Sequence, residues 1–227
     1  MKDINVWITY HKDEQIEQYS LREDDTFRLF KGNRQDVPGN SINHLNAFYS
    51  EAVTLYWVWK NRVASRLVGF CHYRRRFPRV MEVAPGECQV LGYNPRCSVL
   101  QQYKTAHNYK DLYAVIDILN DAYGVGNKYS RYFLESTVFV PYCSFVMHWN
   151  DFVRLGDFLF GVLMELDRRN HLDLTPSRYR EKAETDFRYD DVDYQQRMMG
   201  FIAERIISCY LVTEMNILCI NELRQSS

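Results

Sequence analysis

The order of hydrophobic and polar positions in the first third of the chain predicts a strand, a polar segment and a helix. Residues 5–10 are mainly β-branched and aromatic, which favours a β-strand. Residues 13–38 are charged and lack periodicity, which predicts a loop that could contain one short helix. From about residue 43 to 64, apolar side chains recur every three or four positions, as in an amphipathic helix. Asn40 or Ser41 in the preceding turn could cap that helix.

The rest of the chain predicts two buried strands and a series of helices. The continuous apolar run at 67–71 indicates a buried strand, and 136–147 indicates another. Residues 78–100 and 168–190 show little pattern. Amphipathic helices are predicted at 108–122, from a cap at Asn150 onward, and at 191–221. These elements predict an α/β fold with a partly parallel sheet and a helix-rich C-terminal half. No linker divides the chain, so we expect one domain over 1–227.

Composition limits the classes of protein that the sequence can represent. The chain has 227 residues, 46% hydrophobic and 25% charged, as in an ordinary globular domain. Its net charge of −1 argues against broad binding to nucleic acid, which needs a basic excess. No apolar run approaches the roughly 18 residues of a membrane span, and the first residues lack a signal-peptide pattern. The six cysteines are scattered without a C-x-x-C pair, so we expect reduced thiols and a cytoplasmic location.

The most basic segment, His72-Tyr73-Arg74-Arg75-Arg76, directly follows the predicted strand at 67–71. Ligands of open α/β sheets bind beyond the carboxyl ends of the strands, and a guanidinium group matches the oxygens of a phosphate. Arg74 and Arg75 are therefore candidates for binding a diphosphate, although a solvated loop with ordinary salt bridges explains the run equally well. His11, at the end of the first strand, could hydrogen-bond a ribose, a phosphate or an acceptor hydroxyl, or be a plain loop histidine.

Two sets of acidic side chains could supply a general base or metal ligands. Glu51 lies in the predicted aromatic helix, where a carboxylate needs a partner or water; most such glutamates are surface residues. An acidic cluster precedes the last helix and comprises Asp186, Asp190, Asp191 and Asp193. Carboxylates of this kind suit Mg²⁺ or Mn²⁺. Acidic residues also favour helix N-termini through the helix dipole, which explains the cluster without a metal.

Five segments recur together in the order and spacing of a known family. They are Thr9-Tyr10-His11-Lys12, Gly39-Asn40-Ser41-Ile42 with Asn46, Tyr49-Ser50-Glu51 leading to Leu55-Tyr56-Trp57-Val58-Trp59-Lys60-Asn61, Val68-Gly69-Phe70-Cys71-His72-Tyr73-Arg74-Arg75-Arg76-Phe77, and Gly200-Phe201-Ile202-Ala203-Glu204-Arg205. This set resembles a bacterial family of capsular and exopolysaccharide loci, long filed as a domain of unknown function and associated with galactofuranosyl transfer.

The resemblance implies an inverting glycosyltransferase with a nucleotide-sugar transferase (GT-A-like) fold and UDP-galactofuranose as its donor. The residues at the family's motif positions are His11, Asn40, Asn46, Glu51, His72, Arg74, Arg75, Glu204 and Arg205. We expect a direct displacement at the anomeric carbon, in which a carboxylate takes the proton of the acceptor hydroxyl while Arg74 and Arg75 stabilise the departing UDP. Glu204 and Asp193 are competing candidates for the base, with Glu51 third.

The same resemblance sets expectations about partners. They are a UDP-sugar donor and a glycan or lipid-linked glycan acceptor in capsular, exopolysaccharide or O-antigen biosynthesis, and no nucleic acid. Lipid-linked acceptors imply peripheral contact with the inner face of the membrane, or a place in a polysaccharide-synthesis complex. Asp191 and Asp193 would hold Mg²⁺ or Mn²⁺, with metal-independent activity as the alternative. A catalytically silent, nucleotide-sugar-binding partner in such a complex fits the sequence as well.

Overall fold

The centre of the fold is a β-sheet that combines strands from early and late parts of the sequence. The computed structural model describes residues 3–91, 94–95, 97–185 and 191–220. Its strands are β1 (Ile4–Tyr10), β2 (Phe27–Lys31), β3 (Leu67–His72), β4 (Glu87–Leu91), β5 (Asn94–Pro95), β6 (Val138–Phe139), β7 (Phe145–His148) and β8 (Asn216–Ile220). Six of them form one sheet in the order β2-β1-β3-β7-β4-β8, and β5 pairs separately with β6.

Strand direction decides which residues meet at one edge of this sheet. β1 is parallel to β2 and β3, and β4 is parallel to β8, whereas β7 is antiparallel to both β3 and β4. The carboxyl ends of five strands therefore lie at one edge, together with the start of β7. We call this the carboxyl edge. The predicted partly parallel sheet is confirmed.

Helices pack mainly against one face of the sheet. They are α1 (Glu14–Gln18), a 3₁₀ turn (Asn43–Leu45), α2 (Asn46–Tyr49), α3 (Ala52–Lys60), α4 (Val99–Lys104), α5 (Tyr109–Tyr123), α6 (Lys128–Glu135), α7 (Trp149–Arg169), α8 (Pro176–Glu184), α9 (Val192–Gln195) and α10 (Met198–Glu214). Successive side chains of β3 point to opposite faces of the sheet, so they pack into two different hydrophobic cores. Val68 and Phe70 pack with α3, α7 and α10, while Leu67 and Cys71 pack on the other face with Val83.

The predicted helix at 43–64 is wrong as a continuous element. The chain forms the 3₁₀ turn, α2 and α3 instead, and the break falls at Ser50, whose φ is +50°. Asn40 and Ser41 do not cap a helix, because Ile42 occupies the cap position of the 3₁₀ turn. The backbone of Asn40 is instead bound to the amide side chain of Asn61, at 2.8 Å through its N–H and 2.7 Å through its carbonyl.

Later predictions fail where two elements adjoin. The Asn150 cap is wrong because β7 runs directly into α7, which places His148 at the cap and Asn150 inside the helix. The helix predicted at 191–221 comprises α9 and α10, and its last part is β8, which pairs with β4. The strand predicted at 136–147 is divided into β6 and β7 by a turn at Tyr142 and Cys143, with φ of 70° and 49°.

The three segments without a clear pattern also contain regular structure. Residues 13–38 include β2, residues 78–100 include β4, and residues 168–190 include α8. The pattern of β4 is obscured by Gln89, a fully buried residue. Its amide donates to the carbonyl of Arg79 at 2.8 Å and accepts from the N–H of Met81 at 2.7 Å, so a polar side chain is tolerated inside the sheet. The strands at 5–10 and 67–71 and the helix at 108–122 are confirmed as β1, β3 and α5.

Two further predictions concern membrane spans and the number of domains. No helix in the described ranges is long and apolar enough to cross a membrane. One domain over residues 1–227 stays a prediction.

Candidate active site

Three side chains from separate parts of the sequence meet at the carboxyl edge. His11 follows β1, His72 ends β3, and Glu51 is the cap residue of α3. Oε1 of Glu51 lies 3.5 Å from Nε2 of His11 and 3.5 Å from Nε2 of His72. We call these three residues the His–Glu–His cluster. They were predicted separately from the sequence, and the fold brings them together.

Hydrogen bonds fix the orientation of both imidazole rings. The backbone N–H of Arg74 donates to Nδ1 of His72 at 3.1 Å, so the proton of the neutral ring is on Nε2, which faces Glu51. The amide nitrogen of Asn46 donates to the carbonyl of Ser50 at 3.2 Å. The amide oxygen of Asn46 therefore faces His11, whose Nδ1 donates to it at 3.1 Å.

The electrostatics keep Glu51 ionised. Burial alone would raise the pKa of Glu51, but the hydrogen bond from His11 and the charge of His72 lower it to about 2. Desolvation lowers the pKa of His72 to about 4, against the opposing effect of Glu51. At neutral pH the cluster therefore combines a carboxylate with a neutral His72.

A strained residue sets the position of Glu51. Ser50 is buried and has φ +50° and ψ −128°, a conformation that costs a residue with a Cβ roughly 1–3 kcal/mol. Its hydroxyl accepts from Nε and Nη2 of Arg197, each at 3.3 Å. A Cβ on Gly200 would lie 2.9 Å from the same hydroxyl, so α10 can approach Ser50 this closely only with glycine there. The break between α2 and α3 is thus held from outside by α10.

The predicted phosphate-binding arginines lie beside the cluster. The Arg74 guanidinium donates twice to the hydroxyl of Tyr73, at 2.9 and 2.7 Å. The Tyr73 ring stacks on His72 with centroids 4.2 Å apart. The Arg75 guanidinium lies 3.8 Å from the ring centroid of Tyr142, in the turn before β7. Two cations are therefore placed at the carboxyl edge next to the His–Glu–His cluster.

Glu204 and Arg205 of α10 form a second polar group. One carboxylate oxygen of Glu204 accepts from the N–H of Tyr142 at 2.5 Å, and the other accepts from Arg205 at 2.6 Å. Arg205 is 3% exposed and also donates to Gln102 at 2.9 Å. Burial raises the pKa of Cys143, and the charges of Glu204 and Glu51 raise it further, so both carboxylates act on the same thiol.

Other predicted site residues make different contacts. Asn40 is held by Asn61, as described above. Asp191 caps α9 by accepting from the N–H of Tyr194 at 2.9 Å. Asp193 is largely exposed and accepts from Arg180 at 3.2 Å. The contacts of both aspartates are with residues of α8 and α9 and not with the His–Glu–His cluster.

The two aspartates were also the predicted metal ligands. Asp186 and Asp190, the other members of the predicted acidic cluster, lie outside the described residues. Within the described part of the chain, no three His, Cys, Asp or Glu side chains come together as a metal site. One oxygen of Asp191 and one of Asp193 are already hydrogen-bonded to protein groups, which is a weak fit to a cation site.

Sequence reasoning missed residues that support the cluster. The ring of Tyr73 stacks on His72, and Arg197 donates to the hydroxyl of Ser50, which directly precedes Glu51. The ring of Tyr142 contacts the guanidinium group of Arg75. Gly32, after β2, is also part of the site, because a Cβ there would lie 3.2 Å from Nδ1 of His11. A glycine directly after a strand was the available signal, but β2 itself was not predicted.

Comparison with known structures supports the fold. The chain is similar to WbbM, a bifunctional glycosyltransferase solved in its apo form, with a TM-score of 0.70 and 19% sequence identity. The alignment covers 96% of this chain and 44% of that one, so the chain spans less than half the length of WbbM. The predicted GT-A-like α/β fold is confirmed.

Comparison with protein families identifies the family of the chain. No curated protein sequence matches it. The model of the domain of unknown function DUF4422 matches residues 6–91 and 89–215, a stretch that includes the His–Glu–His cluster, Arg74, Glu204 and Arg205. The chain belongs to the DUF4422 family.

Proposed function

We propose that the protein is a glycosyltransferase that moves galactofuranose from UDP-galactofuranose, with inversion, to a hydroxyl of a glycan or lipid-linked glycan. The observation that carries the proposal is the His–Glu–His cluster, with Arg74 and Arg75 beside it, at the carboxyl edge of a GT-A-like sheet. The family resemblance supports the donor sugar and the setting in surface polysaccharide synthesis at the inner face of the membrane.

Glu51 is the proposed base. The acceptor oxygen forms a bond to the anomeric carbon, the bond from that carbon to the UDP oxygen breaks, and UDP leaves with the electron pair. The acceptor hydroxyl becomes strongly acidic as its oxygen bonds to carbon, so a carboxylate of low basicity can take the proton. Oε2 of Glu51 has no side-chain partner among the described residues and is the atom available for it.

Arg74 and Arg75 are the proposed ligands of the diphosphate. Charge accumulates on the departing oxygen, and fixed guanidinium groups stabilise it without reorganisation. The Tyr73 hydroxyl and the Tyr142 ring hold the two arginines in place before the donor binds. His11 and His72 orient the carboxylate, and the hydrogen bond from His11 favours its ionised form.

Asp191 and Asp193 are the proposed ligands of Mg²⁺ or Mn²⁺, and metal-independent activity is the alternative that their existing contacts with Tyr194 and Arg180 favour. Such an ion would neutralise charge on the diphosphate. Chelation of divalent ions tests this part separately from the transferase proposal: loss of turnover that Mn²⁺ restores supports it, and an unchanged rate removes it.

Donor turnover and binding test the function. The purified protein is incubated with UDP-galactofuranose, UDP-galactopyranose, UDP-glucose or UDP, with and without Mn²⁺, and release of UDP and binding are measured. We expect turnover of the furanose donor and its loss in Arg74→Ala. Arg131→Ala is the matched control, because Arg131 is an exposed arginine of α6 that pairs with Glu135.

The outcomes separate three interpretations. Turnover of a pyranose donor only keeps the transferase and removes galactofuranose. Tight binding of a UDP-sugar without turnover, with acceptor present, favours the silent binding partner. No binding of any UDP species overturns the proposal.

A further inference from the structure

A large cleft lies away from the His–Glu–His cluster. Its volume is about 480 Å³, within the range of ligand-binding pockets in proteins. Gly86 and Met215 line it, and they directly precede β4 and β8. It therefore lies at the amino ends of these strands, on the edge of the sheet opposite the carboxyl edge. We call it the amino-edge cleft.

One wall of this cleft is aromatic. Tyr123, Tyr129 and Phe158 form a compact cluster of rings, with centroids 4.9 Å apart between the tyrosines, 4.7 Å apart between Tyr129 and Phe158, and 6.3 Å apart between Tyr123 and Phe158. Tyr123 is 52% exposed, so a ligand in the cleft can reach its ring. An exposed ring with a polar tip gives a flat apolar surface with a hydrogen-bonding group at its rim.

Carboxylates and one guanidinium form the rest of the cleft. Glu214 uses Oε1 for both the Tyr129 hydroxyl and Lys128, at 2.5 and 2.6 Å. Asp157 uses Oδ1 for the indole of Trp59 at 3.0 Å. The second oxygen of each of these two carboxylates has no partner among the described residues. Arg154 is held by the buried Asp151 and remains exposed.

The charge of the cleft selects a class of ligand. Asp151 is paired with Arg154, and Glu214 is paired with Lys128, so the charges around the cleft nearly balance and a diphosphate gains little there. A neutral polyhydroxylated molecule fits this surface, because its C–H face packs on an aromatic ring while its hydroxyls donate to carboxylate oxygens and accept from a guanidinium group.

We propose that the amino-edge cleft binds a neutral saccharide chain, and that this site is separate from the site of chemistry. Binding is measured directly, so the proposal does not depend on the transferase activity. If the protein is a glycosyltransferase, the cleft would hold a part of its glycan acceptor remote from the reacting hydroxyl.

Titration with short neutral oligomers of galactose, glucose and mannose tests the site, with binding followed by calorimetry and saturation-transfer NMR. We expect at least one oligomer to bind and Tyr123→Ala to weaken it about tenfold or more, since the ring supplies the stacking surface. Tyr113→Ala is the matched control: Tyr113 is a tyrosine of the same helix, 39% exposed, that contacts Tyr109 and Lys104.

Two further measurements locate the binding. Saturating UDP and the Arg74→Ala variant should leave oligosaccharide affinity unchanged, because both act at the opposite edge of the sheet. Competition by UDP, loss of binding in Arg74→Ala, or equal affinities of Tyr123→Ala and the parent protein would overturn the proposal. Failure of every oligomer to bind would overturn it as well.

Discussion

Glu51 and Glu204 occupy motif positions near the same edge of the sheet, yet the structure surrounds them differently. Their side chains are similarly buried, with 17% and 20% exposure, so burial does not separate them. Their partners do. Both oxygens of Glu204 accept short hydrogen bonds from fixed donors, whereas Oε2 of Glu51 has no side-chain partner in the described part of the chain.

This difference separates a carboxylate that holds the structure from one that can react. A general base needs a free lone pair within reach of the proton that it removes. One oxygen of Glu204 accepts a hydrogen bond from the N–H of Tyr142, and the other accepts one from the buried Arg205. The ring of Tyr142 contacts the guanidinium group of Arg75. We therefore interpret Glu204 as a positioning residue and Glu51 as the base.

The largest expected effect is on catalysis by Glu51→Gln. Glutamine keeps the shape of the side chain but cannot take a proton, so we expect turnover of the sugar donor to fall about 10²–10⁴-fold, the usual contribution of a general base. UDP affinity should change little, whereas the free energy of unfolding should also decrease, because the fold favours the ionised carboxylate and lowers its pKa to about 2. Initial rates with calorimetry and thermal melts check this. Turnover within about tenfold of the parent protein would show that Glu51 is not the base.

Glu204→Gln should act mainly on stability. It leaves the guanidinium of Arg205, which is 3% exposed, without its charged partner, and breaking a buried ion pair in this way costs about 3 kcal/mol. Glu135→Gln is the control, because it breaks the exposed pair with Arg131 and should cost less than about 1 kcal/mol. Urea unfolding measures both. A folded, fully stable Glu204→Gln protein that had lost turnover to the same extent as Glu51→Gln would reverse the two assignments.

Sequence reasoning reached the parts of the fold that depend on local pattern. β1, β3 and α5 are each signalled by their own residues, and all three are confirmed. β4 and β8 are paired with each other across a long stretch of sequence, and the buried Gln89 of β4 hides its pattern. Their positions depend on tertiary contacts that no local window contains.

The same division applies to the candidate site. The motif residues His11, Glu51 and His72 could be selected from the sequence, mainly through the family resemblance. Their contact depends on the break at Ser50, and the apolar pattern around it predicts an unbroken helix. The sequence places Glu204 above Glu51 as a candidate base, and the hydrogen bond from Tyr142 that favours the reverse order depends on the tertiary fold.

Gly200→Ala tests whether α10 sets the position of Glu51 through Ser50. The added methyl group would lie 2.9 Å from the Ser50 hydroxyl, so we expect a loss of about 1–3 kcal/mol in the free energy of unfolding and a lower turnover number. Gly161→Ala is the matched control: this glycine lies in α7 with no atom within 4 Å of an added Cβ. Alanine there should be neutral or stabilise the helix by up to about 1 kcal/mol. Equal effects of the two substitutions would show that the contact with Ser50 is unimportant.

The smallest expected effect is a pH dependence of stability to which the His–Glu–His cluster contributes through His72. The pKa of His72 is lowered from 6.5 to about 4 in the folded protein, mainly by desolvation. Between these values the unfolded chain binds a proton that the folded protein does not, so the free energy of unfolding decreases as the pH falls from 6.5 towards 4. Allowing for partial solvent screening, we expect His72 to contribute about 1–2 kcal/mol of this decrease.

His107, whose pKa is lowered to about 3, adds a decrease of the same sign, so His72→Gln should flatten the profile only in part. Urea unfolding of the parent protein and of His72→Gln at several pH values in this interval measures the difference. Parallel profiles would show that His72 titrates alike in the folded and unfolded states, and the account of a neutral imidazole beside an ionised Glu51 would then be wrong.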